Sequence, residues 1–373
     1  MPGHDMKAFP TMARDYAAFR PASAGGARAE RVPTPLETLG WGPFFAQQIG
    51  VEALTETPPV RVVEVHRTGL HVIGDGIDRT IPAGPEATVG DWLLLDRAQP
   101  RASRVLARKS VLERRAPGKD RQVQLIAANI DTAFVVTSCN QDFNVARLER
   151  YLALAFEAGI EPVIVLTKAD LTTDPQTFVD RARTVVDGVA VVALDARGDE
   201  PATKLGAWCA PGRTVAFLGS SGVGKSTLTN ALLGTGTIAT QPVRDDDGKG
   251  RHTTTRRELH PVPGGCLVLD TPGMRELQLT DAASGIANVF ADLEALAARC
   301  RFSDCRHETE PGCAVREAID NGDIDAARLH RWRKLAAEDA FNSASLAERR
   351  TKDRAFGKLV RRVLQQTAER QRP

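Results

Sequence analysis

The chain is predicted to be multidomain: an N-terminal OB-fold β-barrel, a central α/β P-loop domain with its motifs in circularly permuted order, and a C-terminal, mostly helical, zinc-binding domain. Three observations predict this. Short alternating strands fill residues 58–112. The stretch "GSSGVGKST" (219–227) lies between an apolar strand and a helix, with "TKAD" (167–170) well before it. Three cysteines and a histidine fall between Cys300 and Cys313.

Length and composition allow this division. The chain has 373 residues, 42% apolar and 26% charged, which is ordinary for folded domains and long enough for two or three of them. No stretch reaches the roughly 18 uninterrupted apolar residues of a membrane span. "LALAFEAGIEPVIVLT" is broken by Glu157, Glu161 and Pro162. The formal net charge of +2 does not by itself demand a nucleic-acid partner. The charge is uneven, however. From Ala347 to Pro373 nine Arg or Lys residues stand against Glu348, Asp353 and Glu369, a tail able to neutralise phosphates or to serve as a solvated helix face.

The elements follow in order. Residues 1–57 form an extension whose first part is rich in Pro, Gly, Ala and Arg and reads as a disordered arm. "LETLGWGPFFAQQIG" then has helical spacing and reads as one short docking helix. Residues 58–117 alternate apolar and polar between Gly, Pro and Asp, as a small barrel requires. Arg101, Arg104, Arg108, Arg114 and Arg115 are its candidate nucleic-acid contacts. Residues 118–283 alternate strands such as "NIDTAFVVTS", "EPVIVLTK", "RTVAFLG" and "GGCLVLD" with amphipathic helices, which predicts a parallel, doubly wound sheet. Residues 284–373 read as helices interrupted by the Cys/His cluster and closed by the basic tail.

Gly219, Ser220, Ser221, Gly222, Val223, Gly224, Lys225 and Ser226 match G-x-x-x-x-G-K-[ST] in full, and Thr227 follows. Glycines let backbone N–H groups curl around phosphates, and the helix N-terminus adds partial positive charge. Lys225 should reach the β- and γ-phosphates and Ser226 should ligate Mg²⁺. Asp270 ends the apolar strand "CLVLD" and is a second candidate for Mg²⁺. Gly273 in "DTPG" would place its N–H near the γ-phosphate. The polar stretch "RDDDGKGRHTTTRRELH" between them reads as a mobile switch loop. One of Thr253, Thr254 and Thr255 should close over the metal, and Thr254 is the candidate. His252 is the candidate to orient the attacking water, because Met274 stands where a Gln would be expected.

Thr167, Lys168, Ala169 and Asp170 fit [NT]-K-x-D. The Asp170 carboxylate can accept from the N1–H and N2–H₂ donors of guanine, a pair that adenine lacks. Strand-end loops of a parallel sheet line one site whatever their order in the chain, so a circular permutation preserves the site. It also places "DTPG" last in its domain, ahead of the C-terminal segment, and the expectation is that hydrolysis repositions that segment. Where a Ser-Ala turn would complete the base site, the chain has Asp195-Ala196.

Cys300, Cys305, His307 and Cys313 supply three thiolates and an imidazole. Four such ligands suit a tetrahedral, structural Zn²⁺ site. The intervening "RFSDCRHETEPGC" has few apolar side chains and needs such a staple.

Together "TKADL", "GSSGVGKSTLTNALLG", "GRHTTTRREL", "DTPGMREL" and "CRFSDCRHETEPGCAVREAIDNGDI" resemble the ribosome small subunit-dependent GTPase A family of circularly permuted GTPases, from about Pro58 to Leu335. The resemblance implies a cytoplasmic, monomeric GTPase with one Zn²⁺ per chain and Mg²⁺ with GTP. Its partners would be GTP, GDP, the small ribosomal subunit and its rRNA, with no membrane. It would act late in subunit maturation and be stimulated by the subunit. Asp195, Thr167 in place of Asn, and the long N-terminal arm depart from the family pattern. Alternative readings are a non-catalytic RNA-binding assembly factor that uses GTP as a structural ligand, and a P-loop kinase.

Overall fold

The computed structural model describes residues 32–50, 54, 56–66, 68–115, 123–234, 257–270 and 279–343. The N-terminal arm, the switch residues His252 to Thr255, Gly273 and the basic tail lie outside the described residues.

Pro59–His66 (β1), Gly69–Gly74 (β2), Ile77–Pro82 (β3), Trp92–Leu94 (β4) and Arg104–Val105 (β5) form the barrel. β1 pairs antiparallel with β2 and β4, β2 with β3, and β4 with β5. The resulting path, β3-β2-β1-β4-β5, is that of a partly open five-stranded OB-fold. Val60, Val62, Leu70, Val72, Ile81, Leu93 and Leu95 fill its interior.

The expected docking helix is two turns, Pro35–Thr38 (α1) and Pro43–Ala46 (α2). Gly40 between them has φ +90°, which ends the first turn. The segment still docks. Phe45 is buried, and Trp41 meets Trp92 edge to face at 4.8 Å.

The central sheet contains Thr132–Ser138 (β8), Glu161–Thr167 (β9), Ala190–Ala193 (β10), Thr214–Leu218 (β11) and Leu267–Asp270 (β13), all parallel, in the order β10-β9-β8-β11-β13. Side chains alternate between two cores, as a sheet covered on both faces requires. Ala133, Val135, Ile164, Leu166, Ala216 and Leu218 face one way. There they meet Leu148 and Leu152 of Val145–Glu157 (α3) and Val179 of Pro175–Arg183 (α4). Phe134, Val136, Val163, Val165, Val215 and Phe217 face the other way, toward Glu200–Lys204 (α5) and toward Leu228 and Leu232 of Lys225–Leu233 (α6).

Two strands differ from expectation. Val123–Ala128 (β7) pairs with Val111–Arg115 (β6) in a separate hairpin. Arg257–Pro261 (β12), expected within the switch loop, is a strand. It pairs antiparallel with β13 and also with β1 of the barrel, at Glu64↔Glu258 and Val65↔Arg257. The sheet is therefore mixed and runs without interruption from the P-loop strand into the barrel.

A buried arginine reinforces this junction. Arg61 of β1 donates to the carbonyls of Leu39, Gly90 and Asn129, and to Thr214 Oγ1 at 2.8 Å. Burial lowers its pKa to about 10, so it remains charged at neutral pH.

The C-terminal helices pack on α3. Gly285 of Ala283–Val289 (α7) lies so close to Ala153 that a Cβ there would sit 2.0 Å from the Ala153 carbonyl oxygen. In Ala326–Ser343 (α10), Arg331 Nε donates to both oxygens of the fully buried Glu149 at 2.9 Å, and Arg328 donates to Val185 O at 3.1 Å while pairing at 2.7 Å with Asp292 of Ala291–Ala297 (α8). These contacts clamp the C-terminal segment to the central domain. No helix of the described residues is long and apolar enough to cross a membrane.

Candidate functional site

The phosphate-loop sequence sits at the carboxyl end of β11, in the middle of the sheet. Gly219 leaves that strand with φ +148°, and a Cβ there would lie 2.3 Å from the Val136 carbonyl oxygen. Only glycine fits so close to β8. Gly222 and Gly224 also have positive φ and carry Ser220, Ser221 and Val223 around the loop to Lys225, the first residue of α6. α6 begins at the end of the loop, and the first-turn N–H groups of a helix have no partner within the helix itself. Lys225 Nζ donates to Gly219 O at 2.8 Å and to Ser220 O, so the ammonium lies inside the curl. Ser226 is exposed and Thr227 half-buried.

Two strands away, Thr167 ends β9. Its hydroxyl is fully buried and donates to Val223 O at 2.6 Å. Lys168 follows in a left-handed conformation, φ +58°, with Nζ 3.9 Å from Asp142 Oδ2. Ala169 and Asp170 lie in a short 3-10 turn that leaves Asp170 exposed. Beneath it, burial, helped by the Asp170 charge, pushes the Cys139 thiol up to about 11, so it stays protonated.

Asp195 builds the neighbouring turn. Its Oδ1 accepts from Arg197 N–H at 2.9 Å, while its own N–H donates to Glu200 Oε2 at 2.9 Å. A carboxylate thus makes the tight turn that a serine hydroxyl would make.

Asp270 ends β13 opposite Glu258 of β12, at the same edge of the sheet as the phosphate loop. Sequence reasoning missed Asp142, whose loop carries no motif. It also missed β12, whose "RELHP" is too short and polar to stand out from a loop.

The cysteine–histidine set converges. The ligand atoms of Cys300, Cys305, His307 and Cys313 all lie within 4.8 Å of one another. His307 Nδ1 is 3.5 Å from Cys300 Sγ and 3.4 Å from Cys313 Sγ, and the two sulfurs are 3.9 Å apart. A tetrahedron with Zn–S of about 2.3 Å has sulfur–sulfur edges of about 3.8 Å, so the donor set fits that ion in chemistry and size. Burial, assisted by Arg333, pushes His307 below its ordinary pKa and favours its neutral imidazole. Burial works to raise the Cys300 pKa, but backbone N–H groups of Val315 and Ala314, in Ala314–Asp320 (α9), bring it below the usual thiol value. The cluster could hold a metal ion.

Arg108, one of the barrel's candidate nucleic-acid contacts, is committed elsewhere. It forms a two-point pair with the buried Asp91, at 2.7 and 2.9 Å. Arg101 and Arg104 are exposed.

Comparison with known proteins agrees with this geometry. Residues 105–280 match the family described as RsgA GTPase. A Vibrio vulnificus protein named small ribosomal subunit biogenesis GTPase RsgA 2 is 49% identical over 334 residues, covering 89% of this chain and 95% of the relative. A Mesorhizobium japonicum protein named small ribosomal subunit biogenesis GTPase RsgA is 48% identical, covering 83% and 91%. Among solved structures, YjeQ from Thermotoga maritima aligns with a TM-score of 0.54 and 26% identity, over 74% of this chain and 96% of that one. The phosphate loop on the central strand, the TKAD loop bonded to it and this degree of identity together place the chain in the RsgA GTPase family.

Proposed function

We propose that the chain hydrolyses GTP to GDP and phosphate, and that it binds the small ribosomal subunit during late maturation. The observation that carries the reading is the Thr167–Val223 hydrogen bond, which joins a guanine-type loop to a phosphate loop at the ends of strands two apart in the sheet. The relatives' names supply the subunit.

In this reading the phosphates lie against Gly219–Thr227, where backbone N–H groups and the Lys225 ammonium meet their charge. Asp170 accepts from the guanine edge, and the stem of Lys168, held toward Asp142, covers the base. Ser226 and Asp270 would hold Mg²⁺, which when bound neutralises charge between the β- and γ-phosphates. Thr254 and Gly273 would close on the γ-phosphate, and His252 would orient water. Cys300, Cys305, His307 and Cys313 would hold one structural Zn²⁺.

We read residues 58–117, 118–283 and 284–373 as barrel, GTPase and zinc-binding units, with 1–57 as an extension. The separate barrel interior and the Cys/His cluster support that division. We also read the protein as a cytoplasmic monomer that contacts rRNA through the barrel, the zinc loop and the basic tail. The clamp of α10 on α3 argues that hydrolysis acts on a partner's grip rather than by freeing the C-terminal segment.

The test is GTP hydrolysis with and without purified small subunits at several salt concentrations. Stimulation of about 10³-fold or more, lost with large subunits and weakened by salt, is expected. No stimulation by small subunits would overturn the ribosomal half of the proposal.

A further inference from the structure

The zinc-type loop carries an aromatic side chain that contributes to no core. Phe302 is 41% exposed, although it lies between two of the clustered cysteines. The guanidinium of Arg301 sits over its ring, 5.5 Å from the centroid. Arg301 is itself held in place. Its N–H donates to Gly312 O at 3.0 Å, and its stem lies over Gly312, where a Cβ would come within 3.1 Å.

The rest of the loop is equally constrained. The Glu310 carboxylate accepts from the N–H groups of Arg306, Glu308 and Thr309, and those bonds lower its pKa to about 2. Arg316 donates to Glu308 O and Arg333 to Arg306 O. A single exposed phenylalanine is ordinary by itself, and its setting carries the information. This one is presented on a rigid loop with the Arg301 guanidinium over its ring, and Arg299 and Arg306 lie close by in the chain. A flat apolar face beside a fixed guanidinium matches an unpaired nucleobase with a flanking phosphate.

We propose that Phe302, flanked by Arg301, is a stacking platform for one unpaired base of a single-stranded RNA segment. The inference rests on the reading that the chain binds rRNA, and adds which part of an RNA this loop takes. A preformed loop loses little freedom on binding, so most of the stacking energy appears as affinity.

The experiment compares wild type with Phe302→Ala, Phe302→Leu and Phe302→Trp, each first shown to retain zinc. Two affinities are measured: for purified small ribosomal subunits, and for a short single-stranded oligoadenylate. Phe302→Ala and Phe302→Leu should weaken binding about 5- to 100-fold, and Phe302→Trp should stay within about threefold of wild type. Indole fluorescence of Phe302→Trp should be quenched beyond that of wild type when the RNA is added.

Unchanged affinity in Phe302→Ala overturns the platform. Full affinity in Phe302→Leu overturns it as well, because it would mean an apolar contact with protein. If wild type fails to bind small subunits, the ribosomal reading falls, and the oligoadenylate measurements alone decide the platform. If only subunits bind, the subunit measurements decide it.

Discussion

The Thr167 hydroxyl donates to the Val223 carbonyl across 2.6 Å of fully buried space. One residue belongs to the guanine-type loop and the other to the phosphate loop, 56 positions later in the chain. A parallel sheet brings the carboxyl ends of its strands to one edge, so encoding order does not matter to the contact. The bond means that neither loop can shift without the other.

Removing it should therefore be felt at the nucleotide. Thr167→Val leaves a buried carbonyl without its donor, a loss of about 1–3 kcal/mol. GDP affinity should fall about 5- to 100-fold by calorimetry, and Thr167→Ser should stay within about threefold of wild type. Equal affinities in all three proteins would show that the loops are positioned independently.

Asp170→Asn exchanges an acceptor pair for a mixed donor and acceptor. GTP binding should weaken about 100-fold or more, and xanthosine triphosphate, which offers a carbonyl where guanine has its amino group, should gain. Competition between the two nucleotides measures the switch. Retained GTP preference would remove Asp170 from the base site.

Arg331→Ala strands the buried Glu149 carboxylate, at a cost of about 3–5 kcal/mol in urea unfolding. Burial already raises the Glu149 pKa, with Arg331 and Arg328 opposing the rise. An acid with a raised folded pKa contributes most stability below its unfolded pKa and loses it as pH rises through the folded value. The loss in Arg331→Ala should therefore be larger at about pH 8 than at about pH 5. The double variant Glu149→Leu/Arg331→Met should recover most of it. A pH-independent loss would mean that Glu149 is not the source.

The β1–β12 pairing attaches the end of the switch region to the barrel. Arg257, the first residue of β12, also donates to Leu125 O at 2.8 Å, in the hairpin between the two units. Arg257→Ala should destabilise the fold by about 1.5–3 kcal/mol. It should also reduce stimulation by small subunits more than it reduces basal hydrolysis. Equal reduction of both rates would show that the junction does not transmit engagement of the barrel.

By itself the sequence determined the local chemistry. The glycine spacing of 219–224, the Asp of TKAD and the Cys/His cluster were legible because each depends on residue type at short range. Strands β8, β9 and β11 were legible because both their faces are buried and they read as continuous apolar runs. The tertiary structure alone decided what joins these parts. Arg61 looks like any barrel arginine until four acceptors from distant segments surround it. Asp195 breaks a family pattern until its carboxylate is seen to cap the same turn. β12 is polar and short, and is a strand only because β13 and β1 offer edges on both sides. Phe302 carries no motif in the sequence, and only the folded loop shows its ring left exposed beside Arg301. Partners distant in sequence leave no periodicity, so only the folded chain reveals them.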